Sequence, residues 1–169
     1  FGQPAPASRE VNTLAGVWTG TLTNSPARPN PTPVDVTMEI GALGSAVGSC
    51  AAFKTTYREK GAVRGVKDYR LCRDRMPGEF YIDEGGGLRL KTQWLDGSLV
   101  TAFRIQKSML VTHLRVRMGQ GNRPVLEEEI FSLDADPQVL NADQQVLNMR
   151  VTNLQRLVLR RKASTPATK

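Results

Sequence analysis

The sequence predicts an all-β fold: an antiparallel up-and-down β-barrel of about 8–10 strands, with one short helix before the last strand. Three observations carry this reading. The stretch Leu14 to Thr23 holds a strand in which Gly16 and Gly20 bracket Trp18, so a neighbouring strand can approach closely and the strand can bend. Val34 to Ile40 alternates cleanly, with Val34, Val36, Met38 and Ile40 on one side and Asp35, Thr37 and Glu39 on the other. From Gly78 to Leu133 the chain repeats a rhythm of short strand and short turn, with no helix between strands. That rhythm excludes a βαβ plan. A meander of this length curls and closes, because closure removes its exposed edges.

A chain of 169 residues that is 40% hydrophobic can bury one core and is not a disordered segment. We place the domain at residues 11–162. Residues 1–10, with Pro4 and Pro6 among small polar residues, and residues 163–169 read as tails. No apolar run approaches the ~18–20 residues of a membrane helix. The opening, Phe1-Gly-Gln-Pro-Ala-Pro-Ala-Ser, lacks an initiator Met and an apolar signal core. It suits an exported protein, periplasmic or secreted, whose signal has been removed, or a trimmed chain. The net charge of +7 is spread along many strands. Its densest clusters, Arg70/Arg73/Arg75 and Arg156/Arg160/Arg161/Lys162, lack interleaved aromatics, so we read a solvated surface rather than nucleic-acid binding. Such a surface still attracts anionic lipids, polymers or ligands at low salt, which admits association with an envelope or membrane surface.

Taken in order, the first strand runs from about Gly16 to Thr23. Asn24 to Pro33 carries four prolines without N–H donors and cannot be a central strand. It is either a binding loop at the barrel mouth or a plain connection. After the strand Val34–Ile40, the glycine-rich stretch Gly41–Gly48 is a turn region, because no Lys-Ser/Thr and no helix follow it as a phosphate loop requires. Strands Cys50–Arg58 and Val63–Arg73 flank Gly61. A hairpin centred there opposes Phe53 with Tyr69, Ala51 with Leu71 and Cys50 with Cys72. The apolar pairs fall on one face and the cysteines meet on the other. Opposed strand residues lie ~4.5–5.5 Å apart at Cα, within reach of a disulfide. The spacing therefore predicts a Cys50–Cys72 bond, worth about 3 kcal/mol through loop closure, and with it an oxidising compartment. Two free thiols or half a metal site are the rivals, and two Cys with one distant His fall short of four ligands.

Further strands follow at Glu79–Asp83, Leu88–Trp94, Leu99–Ile105, Met109–Met118 and Val125–Leu133, separated by turns such as Glu84-Gly-Gly-Gly87 and Asp96-Gly97. The near-repeat Asp136-Pro-Gln-Val-Leu-Asn-Ala and Asp143-Gln-Gln-Val-Leu-Asn-Met puts Val139/Leu140 and Val146/Leu147 on one helical face. With Asp136 as N-cap and Pro137 in the first turn, it predicts a helix of about three turns; an extended loop is the alternative. Arg150–Arg161 closes the sheet.

Gly16-x-Trp18 on the first strand, a long first loop, a meander, a late helix and a final strand bearing arginine together resemble the lipocalin/calycin group, as a divergent bacterial branch. The group's Thr-Asp-Tyr motif is absent, with Lys67-Asp68-Tyr69 a partial echo. The resemblance implies that Trp18 closes the barrel floor and that a late arginine, Arg156 or Arg160, packs across it. A cation–π contact of about 1 kcal/mol gives the reason. Trp18-Thr-Gly20 also resembles the nitrobindins, which implies haem held through the single histidine, His113.

The chemistry narrows by elimination. His113 shares a strand face with Val111, Arg115 and Arg117, which reads as a strand histidine rather than a catalytic base. In Glu127-Glu-Glu129, alternation sends Glu128 away from the other two, and the run pairs with arginines of the preceding strand. No residues form a catalytic set or a metal site, and no cofactor is expected. The preferred function is non-enzymatic binding of a small apolar or anionic molecule inside the barrel. Val36, Met38, Phe53, Tyr57, Tyr69, Phe80, Leu90, Thr101, Phe103, Thr112 and Leu114 would line the site. The same residues could equally pack as a solid core. An envelope interaction module without small ligand is the second reading, and an enzyme, which needs a polar cluster inside the cavity, the third.

Overall fold

A computed structural model describes residues 10–134 and 138–163. Ten antiparallel strands form a closed barrel: β1 (Gly16–Ser25), β2 (Val34–Ile40), β3 (Cys50–Glu59), β4 (Ala62–Arg73), β5 (Glu79–Gly85), β6 (Leu88–Leu95), β7 (Ser98–Ile105), β8 (Ser108–Met118), β9 (Pro124–Asp134) and β12 (Val151–Arg161). Each strand pairs with its predecessor, and β1 closes the ring by pairing with both β2 and β12. β10 (Gln138–Asn141) and β11 (Val146–Asn148) stand apart as a separate two-stranded hairpin. Helical backbone among the described residues is confined to short turns, at the segment ending in Leu14 and at Gln120–Asn122. This up-and-down plan is compatible with the lipocalin-like expectation.

The chain makes this sheet because period two runs through it. Tight turns supply the reversals. Lys60-Gly61 and Asp96-Gly97 each place two successive residues at positive φ, the twist that suits a two-residue hairpin. Cys50 faces Cys72, Ala51 faces Leu71 and Phe53 faces Tyr69, so the register read from the sequence holds there. Nearer the turn it shifts by one residue between Tyr57 and Arg58. The Cys50–Cys72 disulfide is formed, across 22 residues of chain.

One end of the barrel is solid. Trp18 is fully buried, opposite Met38 on β2, and its indole N–H donates to the Leu14 carbonyl at 2.9 Å. Leu14, Val36, Met38, Leu71, Phe80, Leu126, Leu157 and Leu159 pack with it, each at most 1% exposed. The segment before β1 is strapped over this end. Asn12 donates to the Leu43 carbonyl at 2.9 Å and accepts from the Leu43 amide at 2.8 Å. The Trp94 indole donates to the Glu10 carboxylate at 2.9 Å. At Gly20 a methyl group would overlap the Val158 carbonyl oxygen, so that glycine is what lets β12 lie close beside Trp18.

The predicted helix before the last strand is not formed. Residues 138–148 make the β10–β11 hairpin instead, with Val139 opposite Leu147. The two halves of the seven-residue repeat are its two arms. The physical reason is local: β-branched Val and turn-forming Asn are poor helix residues. Asn141 accepts the Gln144 amide at 2.9 Å, and Gln145 adopts φ 55°, which fixes a reversal where the helix would have continued. The N-cap Asp136 and Pro137 lie outside the described residues, as do 1–9 and 164–169 of the expected tails.

Candidate functional site

Above the packed base the barrel is hollow. Phe53, Thr55 and Tyr57 of β3, Lys67 and Tyr69 of β4, and Ile82 and Glu84 of β5 line one side of a cavity of about 100 Å³. Leu90, Leu99, Thr101, Phe103, Leu110, Thr112, Leu114, Glu128 and Ile130 complete it. Alternation explains the list, since these are inward positions of consecutive strands. Eight of the expected interior positions are therefore brought together: Phe53, Tyr57, Tyr69, Leu90, Thr101, Phe103, Thr112 and Leu114. Val36, Met38 and Phe80 are inward too, but each is 1% exposed and sits in the base. The two alternatives, cavity and solid core, divide the barrel between them.

The wall is incomplete on one side. β5 is laddered to β4 only through Phe80–Asp83, and β6 to β7 only through Thr92–Leu95. The rest of that hairpin, residues 84–91, has no ladder partner on either flank. Tyr69, Glu84, Leu90 and Phe103 border this breach from the inside. The proline-bearing connection between β1 and β2 lies at the same end, as expected for a loop at the mouth.

The cavity also holds ionisable groups. Glu127 faces out and accepts from Arg115 and Arg117 of β8, both at 2.9 Å. Burial alone would raise its carboxyl, but the two guanidinium hydrogen bonds outweigh burial and hold it below the usual range. Glu129 also faces out and accepts from Arg156 of β12 at 2.7 Å. Glu128, between them, turns inward, as alternation predicts. No hydrogen bond or ion pair reaches its carboxylate among the described residues. Burial pushes it up to about 7, and Lys67 across the cavity only partly opposes this. Tyr57 is pushed up to about 12 by burial and by the Glu128 charge. Tyr69 is raised by burial, then by Glu84, with Lys67 opposing. The Lys67 ammonium sits 5.6 Å from the Tyr57 ring centre. Opposite the cluster, Thr92 and Thr101 hydroxyls bond to each other, and Thr92 also donates to the Val100 carbonyl at 2.9 Å.

Lys67, Glu84 and Glu128 were missed as site residues because the sequence reading gathered apolar positions. The signal was there: each falls on the inward parity of its strand, two residues from Tyr69, Ile82 and Ile130. No hydroxyl is hydrogen-bonded to Glu128 among the described residues, so no relay from base to nucleophile is assembled. The arrangement offers part-buried carboxylates, Glu84 and Glu128, in an otherwise apolar and aromatic chamber.

The remaining expectations resolve by parity. His113 faces Val100 and Glu129 across its neighbours, on the face opposite to cavity-lining Thr112 and Leu114. It is not positioned to ligate a group held inside. Neither Arg156 nor Arg160 crosses the floor tryptophan. Arg161 does, with its guanidinium 4.7 Å from the Trp18 ring and a hydrogen bond to the Ala15 carbonyl at 3.1 Å. Arg156 and Arg160 have the outward parity of Val158. Arg160, Arg161, Lys162 and Arg123 border an open concavity of about 1210 Å³ outside the closed end. Among the described residues no group of three or more His, Cys, Asp or Glu could hold a metal ion. No family model, no curated protein and no solved structure matches this chain.

Proposed function

We propose that this barrel is a non-enzymatic binding protein that holds a small, largely apolar molecule in its mouth-side half. The observation that carries this reading is the cavity of about 100 Å³ lined by Phe53, Tyr57, Tyr69 and Phe103 above a solid base. A small apolar chamber with a few convergent polar groups is the usual form of a ligand site. Of the two ligand classes expected, the apolar one has the better support, since Glu84 and Glu128 in the wall oppose an anion. The disulfide is consistent with an exported protein, and we place the barrel in a periplasmic or secreted setting on that ground. The test is ligand-observed NMR with benzyl alcohol as probe. Saturation transfer to the probe is expected with the native chain and is lost in Thr112→Phe, which fills the chamber. Equal transfer with both proteins, with native-like circular dichroism, would place binding elsewhere.

A second reading, an interaction module, is supported by the β10–β11 hairpin. Val139, Leu140 and Leu147 are each more than half exposed there (59%, 60% and 55%), and apolar side chains grouped on a projecting element suit a partner.

A further inference from the structure

We propose that the chamber selects a small amine, a single ring or short chain whose protonated nitrogen donates to the Glu128 carboxylate. This inference rests on the interior-binding reading above and adds the chemical class of the ligand. Three consecutive carboxylates supply the first argument. Glu127 and Glu129 are matched by arginines on the outer face, whereas Glu128 has been turned into the cavity and left without a donor. Its carboxylate is part-buried in the cavity wall, free to accept from a ligand N–H, and such a charge-assisted bond is stronger in apolar surroundings than in water. A second unpartnered acceptor lies on the same inner surface: the buried Asn24 side-chain oxygen has no hydrogen bond, and Asn24 pairs in register with Gln155, which pairs with Ile130 of the cavity wall.

The charge balance points the same way. The ionisable side chains lining the cavity are Glu84, Glu128 and Lys67, with the tyrosines Tyr57 and Tyr69. Two acids stand against one base, and Lys67 is exposed where its ammonium lies over Tyr57, so water screens it more than the carboxyl inside. A carboxylate ligand would meet like charge from two strands. An ammonium meets Glu128 among the aromatic residues Phe53, Tyr57, Tyr69 and Phe103, surroundings that suit a cation with an apolar body. Size sets the rest. A cavity of about 100 Å³ is of the order of one that accepts a benzene ring, ~150 Å³, and the breach beside residues 84–91 leaves room for a substituent.

Calorimetric titration at pH 8 with benzylamine, benzyl alcohol and benzoate tests the proposal. Benzylamine is expected to bind at least about tenfold more tightly than benzyl alcohol, as one charge-assisted hydrogen bond implies, with benzoate weakest. Glu128→Gln should bring benzylamine down to the level of benzyl alcohol and leave benzyl alcohol within about twofold. Lys67→Met should strengthen benzylamine, a change of sign that damage to the fold does not produce, and it serves if Glu128→Gln folds poorly. Benzoate binding as tightly as benzylamine, or benzylamine binding that ignores both substitutions, overturns amine selection while leaving interior binding intact. No probe binding inside the native chain, with Thr112→Phe indistinguishable from it, overturns both readings together.

Discussion

Arg161 shows how one residue's side of a strand decides its role. Three arginines stand near the end of β12, and only the one with the parity of Leu157 and Leu159 reaches Trp18. Its guanidinium covers the indole and ties down the Ala15 carbonyl. Arg160, one position earlier, points outward, and no hydrogen bond or ion pair holds it among the described residues. Arg161→Ala should therefore cost about 1–2 kcal/mol, the combined value of a surface cation–π contact and a hydrogen bond. Arg160→Ala should stay within about 0.5 kcal/mol of the native chain. Urea denaturation of the two variants measures the difference. Equal losses would mean that the floor contact is not what the arginine supplies. Leu157, Val158 and Leu159 are all apolar, so the local pattern does not announce which parity is inward, and only pairing with β1 resolves it.

At the scale of elements, the β3–β4 hairpin was readable in full. Its alternation, its Gly61 turn and its two cysteines agree on one register, and the bulge near Tyr57 disturbs only the tip. The disulfide closes 22 residues of chain, so removing it frees the unfolded state by about 3 kcal/mol. Cys50→Ser with Cys72→Ser is expected to lower the unfolding free energy from urea denaturation by that amount while leaving the far-ultraviolet dichroism of the folded chain unchanged. A loss under 1 kcal/mol would indicate an unfolded state already restricted in this region. The late hairpin was not readable. Its apolar pairs recur at a spacing that suits a helix, and the exposed position of Val139, Leu140, Val146 and Leu147 means that no core face chose between the periods. That residues 84–91 ladder only within their own hairpin was equally hidden, because strand sequences do not state how far each ladder runs.

The whole molecule has a pH dependence set by opposed carboxylates. Glu128 is raised to about 7 from an ordinary 4.5, so the folded chain holds a proton that the unfolded chain releases between those values. Stability therefore falls as pH rises through that window, by on the order of 2–3 kcal/mol once cavity wetting is allowed for. Glu127 acts in the opposite sense. It is held below its ordinary value, so its contribution is present above 4.5 and fades as pH falls through the lowered value. Glu128→Gln keeps the uncharged shape. It should melt roughly 4–8 °C above the native chain at pH 8, and the two should converge as the pH falls below 4.5. Thermal scans across this range decide it. A variant less stable at pH 8 would show that the folded protein already engages the carboxylate.

Much of the site was legible from period two alone. Phe53, Tyr57, Tyr69, Leu90, Thr101, Phe103, Thr112 and Leu114 were placed inside without any coordinates, and so was the turning of Glu128 away from its neighbours. A β-strand offers only two sides, and a closed sheet makes one of them interior, so sequence by itself determined the architecture, the cysteine pairing and most of the apolar inward set. Tertiary structure alone decided where along the axis that interior is filled and where it is empty. Val36, Met38 and Phe80 obey the same alternation as Thr112 and Phe103, yet Trp18 and Leu14 reach them and leave the others around a void. Packing depends on volumes meeting across the barrel from strands far apart in the chain, and no local pattern encodes that sum.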